Sequence, residues 1–185
     1  MKVVFLDIDG VLNTTEYRLH KLRNREYSVN IDPAKVAVLK TIVDSVDGRI
    51  VLISSWRRFW ESGGRNTDEA GRTIDEALRE YGLTIWDKTP VIEEGSRAQE
   101  VEQWLSGKHY VDEYVILDDK DFGWGAKLRQ HWIQTDGQVG LMRDDAQTAI
   151  GILNGSLMID MTLYEKKHRG SKASIQKLFS KFRAR

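Results

Sequence analysis

There is no cysteine in the 185 residues and there are only two prolines. The first absence excludes disulfides, thiolate nucleophiles and cysteine-ligated zinc. The second, with no low-complexity linker, argues against a chain broken into two folded domains. No stretch approaches the roughly 18–20 apolar residues that a membrane-spanning helix needs, and no membrane partner is expected. Charge of one sign is lacking too: the formal net charge is zero, so the molecule as a whole is not an electrostatic nucleic-acid binder. The chain enters its first strand with no signal-peptide pattern, and a cytoplasmic protein is the expectation. What is present is an ordinary globular composition, 41% hydrophobic and 30% charged, on a chain long enough for a real core.

The richest information lies in the first thirteen residues. Met1 to Leu6 is a short apolar run, and it ends in Asp7-Ile8-Asp9-Gly10-Val11-Leu12-Asn13. Such a run reads as a buried strand that delivers acids to the rim of a sheet. Strand side chains alternate, so Asp7 and Asp9 are expected on one side, roughly 6–7 Å apart. Two carboxylates so placed can bracket a small electrophile, one attacking while the other handles the proton. Gly10 lets the chain turn sharply away. Two later apolar runs end in matching chemistry: Ile50 to Ile53 runs into Ser54-Ser55, and Tyr114 to Leu117 runs into Asp118-Asp119-Lys120-Asp121.

Between these runs the pattern is helical. Asp32-Pro33 opens a helix expected to bury Val36, Leu39, the stem of Lys40 and Val43. Asp68 to Tyr81 has apolar residues at Ala70, Ile74, Ala77, Leu78 and Tyr81, and Gly82 ends it. Ser96 caps a helix with Val101, Trp104 and Leu105 inward. Asp144 or Asp145 opens the last one, through Leu153. Short strands are expected at Leu83–Trp86 and His131–Thr135, and Thr14 to Ile31 reads as a flap over the site. Strands alternating with amphipathic helices imply an α/β fold, a Rossmann-like three-layer sandwich with a mainly parallel sheet. Ligands of such sheets sit beyond the carboxyl ends of the strands, where all three polar motifs fall.

The order DxD, then Ser, then DD, each closing an apolar strand, resembles the haloacid dehalogenase-like (HAD) phosphatase superfamily. FLDIDGVLN, VLISSWR, SRAQEVEQWL, VILDDKDFG and the later QTDGQVGLMRDDAQTAIGIL together look like the HAD domain of Swiss Army Knife RNA repair proteins. Ala98 departs from that branch, where glycine is common. The resemblance implies a HAD-like domain over 1–155 with at most a minimal cap. It implies a Mg²⁺-dependent phosphohydrolase with an aspartyl-phosphate intermediate, acting on a phosphorylated substrate such as RNA or DNA ends. A nucleotidase or small-molecule phosphatase, or a non-catalytic binding module of the same fold, are the alternatives.

In that frame Asp7 is the nucleophile, Asp9 the general acid and then base, and Ser54 the hydroxyl that bonds the phosphoryl group, with Ser55 as its alternate. Asp7, Asp118 and Asp119, with the backbone carbonyl of Asp9, are the expected metal ligands, Asp121 being weaker. A cation must offset the charge between Asp7 and phosphate; Arg97 comes first, with Lys88 and Lys108 open. Trp56 and Arg57 are expected to face substrate, as a stacking surface and a second phosphate contact. The extension over 156–185 carries Ile175, Leu178, Phe179 and Phe182 at helical spacing among basic residues, a basic amphipathic helix with either the protein's own surface or nucleic acid as its contact. The residues do not define an oligomeric state. If Asp7 is the nucleophile, Asp7→Asn abolishes turnover while circular dichroism and thermal melting stay native. A variant that still turns over overturns the aspartyl-phosphate mechanism.

Overall fold

A computed structural model describes residues 1–26, 31–63, 68–107 and 110–157. The elements in chain order are β1 (Lys2–Leu6), α1 (Thr15–Arg23), α2 (Pro33–Val46), β2 (Arg49–Leu52), α3 (Glu69–Arg79), β3 (Ile85–Lys88), α4 (Arg97–Ser106), β4 (Glu113–Asp118), α5 (Ala126–Arg129), β5 (Trp132–Gln134) and α6 (Arg143–Leu153). A short 3-10 turn, Ser55–Arg58, follows β2. The five strands form one all-parallel sheet in the order β3-β2-β1-β4-β5. This is the α/β sandwich that the alternation of strands and helices predicts.

Period-two alternation on the strands sorts the core into two layers. Val4, Leu6, Ile50, Leu52, Val115 and Leu117 face α2, α3 and α6, whose Leu39, Ile42, Ile74 and Ile152 lie in the same buried cluster. Val3, Phe5, Val51, Ile53 and Ile116 face the other way, onto α4 and α5, with Trp104, Trp124, Leu128 and Trp132. Strands buried on both faces have no polar side, which is why they read as continuous apolar runs.

Local signals place the helices as expected. Asp32 caps α2 through Ala34 N–H, Asp68 caps α3 through Ala70 N–H, and Ser96 and Gln99 form a reciprocal capping box on α4. Several details differ from the sequence reading. In α2 it is Ile42 that is buried, while Val43 and Lys40 lie at the edge of the layer. The third strand is Ile85–Lys88, not Leu83–Trp86. Gly82 ends α3 at φ +70°, and Leu83 N–H bonds back to Leu78 O, so Leu83 closes the helix rather than opening the strand. Asp145 caps α6 from its third residue, its carboxylate accepting from Met142 N–H at 2.8 Å.

Between β2 and β3, α3 lays Ile74 and Leu78 into the core beside α2, as the crossover helix of a βαβ unit. No helix among the described residues is long and apolar enough to cross a membrane. The basic C-terminal helix and Lys108 lie outside the described residues.

Candidate active site

Strand register assembles the site. Leu6 pairs with Leu52 on one side and with Leu117 on the other. Asp7 therefore comes level with Ile53 and Asp118, and the two bonds that continue the ladder are present: Asp7 N–H to Leu117 O and Ile53 N–H to Leu6 O, both 3.0 Å. Three strands thus end flush, about 4.8 Å apart, with a carboxylate on each of two and Ser54 one residue beyond the third.

Asp7, Asp118 and Asp119 present carboxylate oxygens within 4.8 Å of one another. Arg97, the first residue of α4, reaches in from the helix layer. One of its nitrogens, Nη1, donates to Asp7 Oδ2 at 2.9 Å and to Asp118 Oδ2 at 2.5 Å. Its guanidinium lies 4.2 Å from the Phe122 ring centroid, so it is stacked as well as paired. Burial alone would lower the Arg97 guanidinium, but the Asp7 and Asp118 charges outweigh it and leave it raised. Burial, then the Asp7 charge, pushes the Asp118 carboxyl up to about 7, with Arg97 and the Lys120 N–H pulling the other way. Asp119 is raised by the same burial.

The donor set fits a hard divalent cation. Oδ1 of Asp7 and Oδ1 of Asp119 are buried and have no hydrogen-bond partner among the described residues. Buried carboxylate oxygens without partners are costly unless something electropositive meets them. Three carboxylates face one contacting guanidinium, which leaves the formal charge a divalent ion would balance. Oxygen-only ligands suit Mg²⁺.

Two glycines seat Asp119. Gly10 sits at φ +80°, and a Cβ there would stand 2.6 Å from Asp119 Oδ2; a Cβ on Gly137 would stand 2.8 Å from the same atom. The loop that brings Gly137 is pinned by Thr135, whose hydroxyl donates to Gly10 O at 2.8 Å. Nothing in the bare composition of that loop marks it as part of the site; the resemblance of Gln134–Leu153 was the available signal. Asp121 turns away: it accepts from Gly123 N–H and pairs with Arg129 at 2.7 Å, so it shapes the loop and lies apart from the acidic cluster.

Asp9 lies at the rim, half-buried. Its Oδ1 accepts from Asn13 Nδ2–H at 2.8 Å and its Oδ2 from Trp56 Nε1–H at 3.0 Å. Ser54 is buried and caps the 3-10 turn, its hydroxyl accepting from Trp56 N–H at 3.4 Å, whereas Ser55 is exposed.

Arg57 does not face substrate as expected, while Trp56, half-buried, reaches the site through its bond to Asp9. The Trp56 ring packs against the core. Arg57 is turned inward, with Nη1 donating to Ile53 O at 2.8 Å and Ser54 O at 2.9 Å, and Nη2 paired with Glu100 at 2.5 Å. Burial lowers its guanidinium, with Glu100 opposing. Arg57 is thus occupied beneath the turn, which removes it as a second phosphate contact. Glu100, one turn along α4 from Arg97, is the residue that sequence reasoning missed; its other oxygen accepts from Ile92 N–H at 3.2 Å. Lys88 is bonded to Arg57 O, Trp60 O and Glu61, so Arg97, not Lys88, is brought to the acids. Ala98, where glycine was anticipated, is buried in the layer with Val101 and Trp104.

A family model described as the HAD domain in Swiss Army Knife RNA repair proteins matches residues 3–146. No curated protein and no solved structure matches.

The Arg57–Glu100 pair has side chains only 5% and 6% exposed. Glu100→Gln therefore leaves a buried guanidinium without its counter-charge and should cost about 3–5 kcal/mol in urea unfolding; a loss under about 1 kcal/mol would show the pair to be solvated. A proton on Asp118 competes with a cation, so Mg²⁺ affinity should rise as pH is raised through about 7. A calorimetric Kd that is flat between about pH 6 and about pH 8 contradicts that competition.

Proposed function

The chain belongs to the family of HAD domains found in Swiss Army Knife RNA repair proteins, and on that premise we propose that it is a Mg²⁺-dependent phosphohydrolase that removes phosphate from nucleic-acid ends in the cytoplasm. The observation that carries this is the buried Asp7, held by Arg97 beside Asp118 and keeping one oxygen without a partner among the described residues.

Phosphate esters are anionic, so a carboxylate nucleophile needs its surroundings made positive. Arg97 supplies one such charge and orients Asp7. Asp7, Asp118, Asp119 and the Asp9 carbonyl would hold Mg²⁺, which offsets phosphate charge when bound. Asp7 attacks phosphorus; the bond to the leaving oxygen breaks, and that oxygen takes a proton from Asp9. Water then attacks the aspartyl phosphate, Asp9 accepts its proton, and the bond from phosphorus to Asp7 breaks to return the carboxylate. Ser54 offers its hydroxyl hydrogen to a phosphoryl oxygen.

The choice of nucleic-acid ends rests on the family's description and on the absence of a cap domain among the described residues, which leaves the strand ends approachable. The basic C-terminal segment would add salt-dependent affinity for a strand. Phosphate release with Mg²⁺ should be measured on RNA and DNA oligomers bearing 3′- or 5′-phosphate, on mononucleotides and on an aryl phosphate. Preference for an oligomer end is the expected result. Preference for mononucleotides would make it a nucleotidase, and no release from any substrate would make it a binding module.

A further inference from the structure

We propose that Trp56 is a positioning residue for proton transfer to the leaving oxygen, acting through the hydrogen bond from its indole N–H to Asp9. The inference rests on the phosphohydrolase reading above and deepens it.

Asp9 sits where the chain leaves the sheet. β1 ends at Leu6, and Gly10 turns the backbone at φ +80°. Asn13, which holds Asp9 Oδ1, belongs to the same loop, four residues on. The Asn13 bond fixes the carboxylate only relative to its own loop. Trp56 comes from the turn after β2, and it is the partner that ties Asp9 to the sheet. The indole is a donor only, with a single hydrogen fixed in the ring plane, so it sets both a position and a direction for Oδ2. The ring itself is held against the core. Its backbone N–H donates to Ser54 Oγ, so one residue places both a phosphoryl-binding hydroxyl and the proton donor.

Placement matters because a general acid must stand within about 2.6–3.2 Å of the oxygen it protonates. In the first half-reaction the bond from Asp7 to phosphorus forms and the phosphorus–oxygen bond breaks. The electron pair stays on the leaving oxygen. A 4-nitrophenolate departs without a proton, whereas a sugar alkoxide does not. A misplaced Asp9 is therefore felt on a sugar phosphate and hardly on an aryl phosphate. A general loss of packing is felt on both.

The test compares kcat/KM, which reports formation of the aspartyl phosphate, on 4-nitrophenyl phosphate and on a phosphorylated oligonucleotide or mononucleotide that the wild type turns over. Trp56→Phe keeps a ring and removes the donor. It should lose about tenfold or more on the sugar phosphate and less than about threefold on the aryl phosphate. Asp9→Asn should show the same selectivity more strongly. Should Trp56→Phe fail to fold, the benzothienyl analogue of tryptophan at position 56 removes the N–H alone and carries the same expectation. Equal losses on the two substrates, or no loss on either, overturn the inference while leaving an active wild type and its phosphohydrolase reading in place. A wild type that releases phosphate from neither substrate, or that does not need Asp7, removes that reading and the inference with it.

Discussion

A guanidinium enclosed between two buried carboxylates governs the arrangement of this site. Asp7 and Asp118 sit on adjacent parallel strands at the same level, in a layer with little water to screen them. Unpaired, they would repel and one would hold a proton; Asp118 feels that pressure. Arg97 reaches both with one nitrogen, and this fixes where α4 must start relative to the sheet. The capping box of Ser96 and Gln99 then has a functional consequence, since it sets the residue at which the helix begins and so where Arg97 projects.

A second charged pair lies behind the first. Glu100 is three residues along α4 from Arg97, and Arg57 belongs to the turn that carries Ser54. Their ion pair joins the helix that supplies the cation to the strand end that supplies the hydroxyl. Arg57 also closes over the carbonyls of Ile53 and Ser54 at the end of β2. On the opposite side, Thr135 and Gly137 bring the loop after β5 against Gly10 and Asp119. The acids are therefore enclosed by packing from several directions, which holds their oxygens near one another despite like charge.

Much of this was legible in the chain. Apolar runs ending in acids or serine specify buried strands with chemistry at their carboxyl ends, because a strand buried on both faces admits polar residues only beyond its end. Caps at Asp32 and Ser96 were readable because each is a local bond between near neighbours. Leu83 was misread as strand because its apolar side chain serves equally well to close a helix behind Gly82. Arg57 was misread because a neighbour in sequence to a motif can point to either side of the backbone.

The sequence by itself determined the parallel α/β plan and the positions of Asp7, Asp9, Ser54 and Asp118 at strand ends, since periodicity and capping are local. Only the tertiary structure decided which distant side chains meet them. That Arg97 rather than Lys88 reaches Asp7, that Glu100 holds Arg57, and that Trp56 holds Asp9 depends on strand order and on how α4 lies across the sheet. Those contacts join residues tens of positions apart, and their energy comes from burial in a layer that does not exist until the sheet has formed.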